Sequence, residues 1–460
     1  MSIGVYNEST PFAVGNLHDP KNALGLARSF SSTHQWIIRH HDGQWWAWEG
    51  RRFVVITQDR MVSEVYKWVE SLGAFPPNDS VVKRVVKALA AITESPLGTT
   101  MPCWLAPGNN PDPESIIPFA NGLFDIDSAK AIPHTPAWFS ANCLPHPFDP
   151  WAQCPAWERF VDEVFEGDLE RIHALSEWFG YNLTRDIRQQ TFALLVGPPA
   201  SGKSTTLRVL GDMLGHENVA TPTLTTLWRF YGMETIHTKM AAIIGDAHLE
   251  NRGKGIAILE KLKSVVGGDR QNIDLKGRQE IANVVVRARF TIAVNELPQF
   301  PDSANALRRR MLVIPFNRSF RGSEDRDLGD RLAAEMPGIV AWSMRGLERL
   351  RHSGTLTRPK AGNAILDDLD HLGSPIKEYL EDCCEIGPNL IIRSQTLWES
   401  WVEWCQAHGY KAGNSGQFGA MLKAAEPGID RVRHGRDERG NQIRCYQGVT
   451  LRRLVRPTSV

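Results

Sequence analysis

The chain has 460 residues, which is too long for one hydrophobic core and favours about three domains of roughly 150 residues each. Apolar residues make up 42% of the chain and charged residues 23%, as in ordinary globular proteins, and the formal net charge is zero. No global field attracts a polyanion, so any contact with nucleic acid depends on local patches.

Targeting and redox signals are weak. The seven cysteines are odd in number and form no C-x-x-C pair, which favours reduced thiols over a disulfide framework or a zinc site. The amino end, "MSIGVYNEST", lacks the basic start and apolar run of a signal peptide. No apolar stretch reaches the roughly 20 residues of a membrane span. We expect a cytoplasmic protein without a membrane partner.

A small β-meander is predicted near the amino end. Residues 34–57 contain aromatic and β-branched runs that are interrupted by Asp42-Gly43 and Glu49-Gly50. Such dipeptides favour tight turns, because glycine tolerates a positive φ. The tryptophans of this stretch are interpreted as core residues, and stacking on nucleic-acid bases is the alternative.

Helical and β-like patterns complete a predicted N-terminal α+β domain over residues 1–150. Residues 59–95 have helical periodicity, and "IIPFANGLFDI" predicts strands with a turn at Asn121-Gly122. Six prolines between 133 and 155 are typical of a linker and predict the first domain boundary.

An α/β core is predicted in the middle of the chain. The stretches "WERFVDEVF" and "LERIHALSEWFGYNLT" predict a helical collar within 151–189, and the core follows over 190–352. Its runs "TFALLV" and "AAII" are wholly apolar, and "FTIAV" is nearly so. Apolar strands separated by helical stretches predict a parallel sheet covered on both faces.

The tail, residues 370–460, is predicted to form helix, helix, helix and β-hairpin. A second linker, "RHSGTLTRPKAGN", precedes it. Ser374-Pro375 suits the start of the first helix, and Ser415 is expected to cap the third. The final segment alternates and turns at "GRDERGN".

A phosphate-binding loop is the most specific motif. The stretch "LLVGPPASGKSTT" matches G-x-x-x-x-G-K-[S/T] between an apolar strand and a helical pattern. Its glycines let backbone N–H groups face phosphates, and the helix amino end adds positive charge. Lys203 is expected to reach the β- and γ-phosphates, and Ser204 to bind Mg²⁺. The predicted nucleoside triphosphate site comprises Gly197, Pro198, Pro199, Ala200, Ser201, Gly202, Lys203, Ser204 and Thr205.

The run "AAII" is expected to form a second strand beside the first. Acids at the end of such a strand hold Mg²⁺ and orient the attacking water. Here Gly245 takes the first acid position and Asp246 the second. Asp246 is therefore the predicted magnesium ligand and base, and Glu250 is its assistant. An exposed loop role is the alternative for Glu250 and His248.

Polar residues flank the remaining core strands. Asn295, after "FTIAV", is expected to lie beside the γ-phosphate and orient water, whereas capping the following turn is the alternative. Arg308, Arg309 and Arg310 precede the apolar run "MLVIPF". In a ring ATPase such an arginine reaches the neighbouring γ-phosphate, whereas a solvated or salt-bridged face is the alternative.

Together these motifs resemble the phage and plasmid primase-helicase family within the superfamily 3 helicases, which are AAA+ ring motors. The similarity extends over nearly the whole chain and includes "NGLFDI", "LPHPFDPWAQCPAWERFVDEVF", "LSEWFGYNLTRD", "TIAVNELP" and "RRRMLVIPF". The resemblance implies an AAA+ P-loop ATPase core with a C-terminal winged-helix domain. It also implies the helicase part of the family without the primase domain of many relatives.

The resemblance implies a function as well. The implied protein would be a hexameric, ATP-driven DNA helicase that moves 3′ to 5′ and serves replication of a phage or mobile element in the bacterial host cytoplasm. Asp246 would be the acid, Asn295 the sensor, and Arg309 or Arg310 the finger. Single-stranded and forked DNA are the implied substrates, and a separate primase or polymerase the implied partner. The alternative is a nucleotide-switched scaffold or loader that does not unwind DNA.

Two basic segments are the candidate DNA contacts. The stretch "LKSVVGGDRQNIDLKGRQ" resembles the pore hairpin of the family, whose cations would contact backbone phosphates without reading sequence. An ordinary charged surface turn is the alternative. The arginine-rich tail suits duplex or fork binding, with a protein-protein module as the alternative. The predicted DNA-binding residues are Lys276, Gly277, Arg278, Arg433, Arg436 and Arg439.

Overall fold

The computed structural model describes most of the chain. Within this part, no helix is long and apolar enough to cross a membrane. The described ranges are 19–96, 98–229, 231–245, 260–277, 280–295, 309–323, 325–373, 375–410, 412–436, 440 and 442–452.

An antiparallel sheet packed on helices forms the first unit, and its strands follow the order β1-β2-β3 of the predicted meander. Asp42 and Gly43 have φ of 48° and 68°, which is the left-handed pair that a tight hairpin turn requires. Trp45 and Trp46 are 3% and 5% exposed, so they are core residues and not a base-stacking surface. The elements are α1 (Ala23–Thr33), β1 (Ile38–His41), β2 (Gln44–Trp48), β3 (Phe53–Ile56), α2 (Gln58–Leu72) and α3 (Asp79–Thr93).

Short strands follow, and the turn predicted at Asn121-Gly122 joins β5 to β6. Gly122 is required there, because a Cβ would lie 2.9 Å from the carbonyl oxygen of Ile132 and φ is 147°. The strands are β4 (Cys103–Trp104), β5 (Ile116–Phe119), β6 (Gly122–Asp125), β7 (Lys130–Ile132) and β8 (Trp138–Phe139).

The proline-rich stretch predicted to be a linker contains a buried segment, residues 138–144, in which only Ala141 is partly exposed. It contains β8, whose two side chains are 1% and 0% exposed. The Asn142 amide donates to Asn218 Oδ1 at 3.0 Å and to the Thr238 carbonyl at 3.2 Å. Proline fixes φ both in an exposed linker and in a segment that packs on the fold. Proline content therefore does not distinguish a linker from a packed segment.

The two helices predicted within 151–189 are present as α4 (Pro155–Phe165) and α5 (Leu169–Leu183), and they cover one face of the central sheet. Helix α8 (Met336–Ser353) crosses α5 at two glycines. A Cβ on Gly180 would lie 2.3 Å from the Ser343 carbonyl oxygen, and one on Gly346 would lie 2.1 Å from that of Ser176. Glycine therefore permits a backbone approach that any larger residue would prevent.

The centre of the chain is a parallel sheet covered by helices, in the order β10-β11-β14-β9-β15. Alternate residues of β9 belong to different hydrophobic clusters, so both faces are covered as predicted. The elements are β9 (Phe192–Val196), α6 (Lys203–Leu214), β10 (Val219–Ala220), β11 (Ala241–Ile244), β14 (Arg289–Val294), β15 (Met311–Pro315) and α7 (Leu328–Ala334).

The prediction that β11 runs beside β9 is wrong. Strand β14 lies between them, and its Ile292 pairs with Ile244 on one side and Leu194 on the other. Apolar composition identifies a buried strand but does not specify its neighbours. The strand that ends in Asn295 is therefore the direct neighbour of the strand that enters the phosphate loop.

The predicted hairpin is present as β12 (Arg270–Ile273) and β13 (Ile281–Val285), which pair with each other in an antiparallel sheet. The second predicted linker is shorter than expected. Helix α8 occupies its first residues and α9 (Lys360–Gly373) its last, so only 354–359 lie between them. Helix α9 packs on β15, where a Cβ on Gly362 would lie 2.2 Å from the Val313 carbonyl oxygen.

The tail contains a strand that the sequence analysis missed, β16. Helix α10 starts at Pro375 as expected, but the third helix is capped by Asn414 and not by Ser415. The Asn414 side chain accepts from Gln417 N at 2.9 Å, and the Gln417 side chain accepts from Asn414 N. The elements are α10 (Pro375–Cys383), β16 (Cys384–Arg393), α11 (Ser394–His408), α12 (Ser415–Ala425), β17 (Asp430–Arg436) and β18 (Gln442–Leu451), with sheet order β16-β18-β17.

Candidate functional site

The turn between β9 and α6 contains the predicted phosphate loop. Ala200 and Gly202 have φ of 58° and 94°. These left-handed residues curl the backbone, at no steric cost for glycine and at about 1 kcal/mol for alanine. A Cβ on Gly202 would also lie 3.0 Å from Val164 Cγ2, so the turn packs directly on α4.

The segment after β15 braces this turn. A Cβ on Gly197 would lie 2.0 Å from the Phe316 carbonyl oxygen, so glycine is required at the first motif position. Phe320 N donates to the Ala200 carbonyl at 2.8 Å, and Ser319 Oγ donates to the Pro199 carbonyl at 3.3 Å. The shape of the loop is thus fixed before any ligand arrives.

The Lys203 side chain is folded into the turn and is 6% exposed. Its Nζ donates to the carbonyl oxygens of Gly197 and Pro198 at 2.6 and 2.7 Å and to Ser201 Oγ at 3.2 Å. The first N–H groups of α6 have no partner within the helix and add partial positive charge. The turn therefore concentrates positive potential at the place where an oxyanion would bind.

A cavity of about 620 Å³ opens over the turn. Most of the predicted nucleotide-binding residues lie along it, whereas Gly197 and Pro198 contribute their carbonyl groups behind it. The predicted residues that line the cavity are Pro199, Ala200, Ser201, Gly202, Lys203, Ser204, Thr205 and Asn295.

Asn295 lies beside the loop because of strand register. Val294 pairs with Val196, so the residues that follow the two strands, Asn295 and Gly197, emerge at the same level. Asn295 is exposed and borders the cavity, which brings its amide and the Lys203 ammonium to one cleft. The predicted position of Asn295 beside the γ-phosphate and its role in water orientation stay predictions.

The acid position is only partly described. Gly245 directly follows β11, and among the described residues the one atom within 4 Å of a Cβ built there is Leu207 Cδ1, at 4.0 Å. The described residues therefore leave space for a side chain at the first acid position. Asp246, His248 and Glu250 lie outside the described residues.

Both walls of the cleft were missed by the sequence analysis. One wall comes from α4, with Arg159, Phe160 and Glu163. The other follows β15 and is formed by Phe320, Ser323, Asp325, Leu328 and Arg331. Two phenylalanine rings, Phe160 and Phe320, give these walls an apolar part beyond the phosphate turn. The wall residues are far from the motif in sequence, and no spacing rule connects them to it.

Polar contacts hold the two walls. The Arg331 guanidinium pairs with the Asp325 carboxylate inside the cleft, and this hydrogen bond lowers the pKa of Asp325. The Glu335 carboxylate accepts from the backbone N–H groups of Ala156 and Trp157 at 3.0 and 3.1 Å, capping α4. The second wall is thus tied to the first.

The predicted finger arginines lie at the opposite edge of the sheet. Arg309 and Arg310 precede β15, whereas the phosphate turn follows β9, which runs parallel to it. The Arg310 guanidinium donates to the Lys263 carbonyl at 2.6 Å in its own chain. Arg309 is exposed, and Arg308 lies outside the described residues. Neither described arginine reaches the cleft of its own subunit.

The predicted DNA contacts lie on the hairpin and the tail. Lys276 and Gly277 are exposed at the β12–β13 tip, where Gly277 has φ of 72°. Lys276 N donates to the Glu234 carboxylate at 3.3 Å. Arg433 and Arg436 are exposed on β17, whereas Arg278 and Arg439 lie outside the described residues.

The residues present fit a magnesium nucleotide. The loop offers backbone N–H groups and the Lys203 ammonium, and the exposed Ser204 hydroxyl borders the same cavity. Within the described ranges, no group of three His, Cys, Asp or Glu side chains is placed to hold a metal by itself.

Two family models match parts of the chain. Residues 23–166 match the model described as "D5 N terminal like". Residues 195–310 match the model described as "Family of unknown function (DUF5906)". The first match supports, over that range, the resemblance to the phage and plasmid primase-helicase family.

Solved structures of similar fold cover 93% of this chain. One is "The A form apo structure of NrS-1 C terminal region-CTR", with a TM-score of 0.56, 13% identity and 99% of that chain covered. Another apo structure of the NrS-1 C-terminal region has a TM-score of 0.53, 12% identity and 99% coverage. At this identity the likeness concerns the fold alone.

Proposed function

We propose that the chain is an ATP-dependent, ring-forming DNA helicase that moves 3′ to 5′ and serves replication of a phage or mobile element. One observation carries the proposal. The Lys203 ammonium lies 2.6 Å from the Gly197 carbonyl oxygen, inside a turn at the carboxyl edge of a parallel sheet. Such a buried cation, with helix N–H groups beside it, suits a polyphosphate.

Each group of the cleft has a proposed task. Lys203 exchanges its carbonyl contacts for the β- and γ-phosphates, and Ser204 supplies an oxygen to Mg²⁺. Asn295 orients the attacking water, with Asp246 as the proposed base. The base of the nucleotide lies against Phe160 and Phe320, because these rings form the apolar part of the same cavity.

The DNA contacts are proposed for exposed cations outside the cleft. Lys276 at the hairpin tip contacts backbone phosphates within a hexameric ring, where sequence-independent binding suits translocation. The tail has the order helix, strand, helix, helix, strand, strand, which supports a winged-helix module with Arg433 and Arg436 on its β17–β18 wing.

Strand displacement on forked DNA tests the helicase. We expect the full chain with ATP and Mg²⁺ to separate the strands and the Lys203→Ala variant to lose this activity, because the phosphates lose their cation. Lys87→Ala is the control, since Lys87 is exposed on α3 in the N-terminal unit. Unwinding that survives Lys203→Ala would refute the proposal.

A second candidate is a nucleotide-switched scaffold or loader in the replication complex. The observation that favours it is Gly245, which leaves the first acid position without a carboxylate. This function predicts tight ATP binding with negligible hydrolysis in the presence of DNA. Measuring ATP turnover with and without single-stranded DNA separates the two candidates.

A further inference from the structure

The exposed surface of α12 in the tail has few hydrogen-bonding side chains. In helix-turn-helix modules the second helix lies in the major groove and contacts base edges. In the tail that position belongs to α12, which follows α11 and precedes the β17–β18 hairpin. Gly416, Ala420 and Ala424 are exposed on it, and Ser415 is at its first position. Such a surface offers little to base edges, which are distinguished by their donors and acceptors.

The longer polar side chains on and before α12 are already engaged. Asn414 Oδ1 accepts from Gln417 N at 2.9 Å, and Gln417 Oε1 accepts from Asn414 N at 3.1 Å. An amide side chain reads adenine with its oxygen and nitrogen together, so the capping box removes both from this task. The Lys423 ammonium donates to the Pro427 carbonyl at 2.8 Å and to the Asp430 carboxylate. Helix α12 therefore lacks the side chains of a sequence-reading helix.

Exposed arginines lie instead on the hairpin, beside α12. Arg433 on β17 is directly opposite Arg444 on β18, and Arg431 lies on the same face, opposite Tyr446. The Tyr446 ring packs on α12, 6.3 Å from the ring of Phe418. The three arginines therefore extend the sheet face that α12 covers. Arg431, Arg433 and Arg444 are called the arginine face below.

Neutral groups of the tail hold Arg431 in place. Its Nε donates to the Tyr446 hydroxyl at 3.0 Å, and its Nη2 donates to the Ser415 carbonyl at 3.2 Å. A Cβ on Gly419 would lie 1.7 Å from Nη2, so glycine makes room for the guanidinium on the helix. These contacts orient Arg431 without cancelling its charge.

The arginine face has no carboxylate partner in the described part of the tail. The acid next to it in sequence, Asp430, is paired with Lys423. Asp437 and Glu438 of the hairpin turn lie outside the described residues. Residues 431–460 contain eight arginines and only these two acids, an excess of six cations. The hairpin is therefore a local concentration of positive charge on a chain with no net charge.

The arginine face suits the phosphate backbone of a DNA duplex. Arg433 and Arg444 place like charges at directly opposite positions, which destabilises a sheet in the absence of an anion. Guanidinium groups match phosphate oxygens. Sites for single strands add aromatic rings on which bases stack, whereas Tyr446, the one Phe, Tyr or Trp of the two strands, is 3% exposed. Cations without stacking rings favour a duplex, whose phosphates lie on the outside.

We infer that the tail binds double-stranded DNA through the arginine face and not by inserting α12 into the major groove. The guanidinium groups contact backbone phosphates, so the tail holds the duplex without selecting a sequence. The small exposed side chains of α12 let the DNA backbone come close to the arginines beside it. The inference rests on the DNA binding in the proposed function, and it adds which surface of the tail holds the duplex.

Fluorescence anisotropy with two hairpin-closed duplexes of unrelated sequence tests this inference on the full chain without nucleotide. We expect equal affinity for both duplexes within about twofold. Arg433→Gln/Arg444→Gln should weaken both about tenfold and lower the slope of log affinity against log salt by about two, because two phosphate contacts are lost. A difference above about tenfold between the two sequences, or no binding of either duplex, would overturn the inference.

Lys423→Gln is the matched control, because it removes an exposed cation of α12 whose charge Asp430 already neutralises. We expect its affinity for both duplexes to be unchanged. Arg433→Lys/Arg444→Lys should retain most of the affinity, since counterion release depends on charge. The glutamine double variant should be at least as stable to heat as the wild type, because two opposed like charges are removed. Equal losses in Lys423→Gln and the glutamine double variant would place α12 against the DNA and overturn the inference.

Strand displacement on forked DNA separates this inference from the proposed helicase. If the wild-type chain unwinds the fork but the glutamine double variant binds duplex as tightly as wild type, the inference is wrong and the helicase proposal stands. If the arginine face binds duplex while the wild-type chain does not unwind the fork, the helicase proposal is wrong and the inference stands.

Discussion

Among the described residues, the nearest atom to a Cβ built on Gly245 is Leu207 Cδ1, at 4.0 Å. We therefore expect Gly245→Asp to fold normally. A second acid at the strand end strengthens cation binding, so we expect the Mg²⁺ concentration for half-maximal ATP hydrolysis to fall about fivefold. Gly245→Asn is the matched control, with the same shape and no charge. Identical Mg²⁺ dependence in the two variants would contradict this expectation.

Single substitutions of Asp246 and Glu250 distinguish which carboxylate orients the attacking water. If Asp246 alone orients water, Asp246→Asn should reduce ATP turnover by about a thousandfold while ATP still binds. Glu250→Gln should then leave ATP turnover almost unchanged. Turnover and nucleotide affinity are measured on the same preparations. Similar losses in the two variants would instead mean that both carboxylates act.

Substitution of Phe320 tests whether the apolar end of the cleft holds the base of the nucleotide. Its ring borders the cavity while its backbone N–H braces the Ala200 carbonyl, so Phe320→Ala removes the ring and keeps the brace. We expect ATP affinity to fall about tenfold, since base stacking on an aromatic ring contributes about 1–3 kcal/mol. Binding of inorganic tripolyphosphate should not change, and Phe320→Tyr should restore ATP affinity. Equal losses for both ligands would indicate damage to the phosphate turn.

At the scale of elements, the crossing of α5 and α8 is the most sensitive packing contact. A Cβ on Gly346 would lie 2.1 Å from the Ser176 carbonyl oxygen, which belongs to a helical backbone and cannot move aside. We therefore expect Gly346→Ala to lower the free energy of unfolding by about 3 kcal/mol, measured by urea denaturation.

Gly211→Ala on α6 is the control for that measurement. The nearest atom to its added Cβ is Ile243 Cδ1 at 3.7 Å, an ordinary contact, and alanine favours a helix by about 1 kcal/mol over glycine. Gly211→Ala should be neutral or stabilising. A Gly346→Ala chain as stable as Gly211→Ala would show that the two helices separate without cost.

Periodicity and motif spacing predicted the buried strands, the collar helices and the phosphate loop. They missed β16, because Gly387 and Pro388 interrupt its alternation and its register with β18 shifts between Ile386 and Ile391. The order of the strands in the sheet could not be predicted either, because an apolar run does not indicate which strands lie beside it. The cleft walls were missed for a similar reason: α4 precedes the loop and Phe320 follows it far along the chain, and only folding brings them together.

At the scale of the whole molecule, the N-terminal unit is docked on the central sheet. Arg52 NH2 lies 3.0 Å from the Glu217 carboxylate, and Arg287 NH1 lies 2.7 Å from that of Glu114. Arg287 precedes β14, whose other end leads to Asn295. Strand β14 thus runs from next to this contact to the edge of the cleft.

Ring assembly decides whether Arg309 acts at all, because it lies at the edge of the sheet opposite its own cleft. In the proposed ring, Arg309 can act only if that edge lies against the phosphate turn of a neighbour. We expect the Arg309→Ala variant to bind ATP normally and to hydrolyse it about a thousandfold more slowly. The reason is that an arginine finger increases the rate of hydrolysis by a factor of about 10³–10⁵. Arg310→Ala should mainly reduce stability, because Arg310 holds the Lys263 carbonyl of its own chain.

Mixing two inactive variants tests this arrangement directly. Lys203→Ala subunits lack a working phosphate turn but carry Arg309, and Arg309→Ala subunits have the reverse defect. In an equal mixture, half of the subunits have Lys203 in the phosphate turn, and half of the neighbours of those subunits supply Arg309. About a quarter of the sites therefore have both residues, and about a quarter of the wild-type ATP turnover should return. Replacing Arg309→Ala by the Lys203→Ala/Arg309→Ala double variant should give no recovery. If the first mixture also stays inactive while mass measurement shows mixed rings, Arg309 does not act on the neighbouring site.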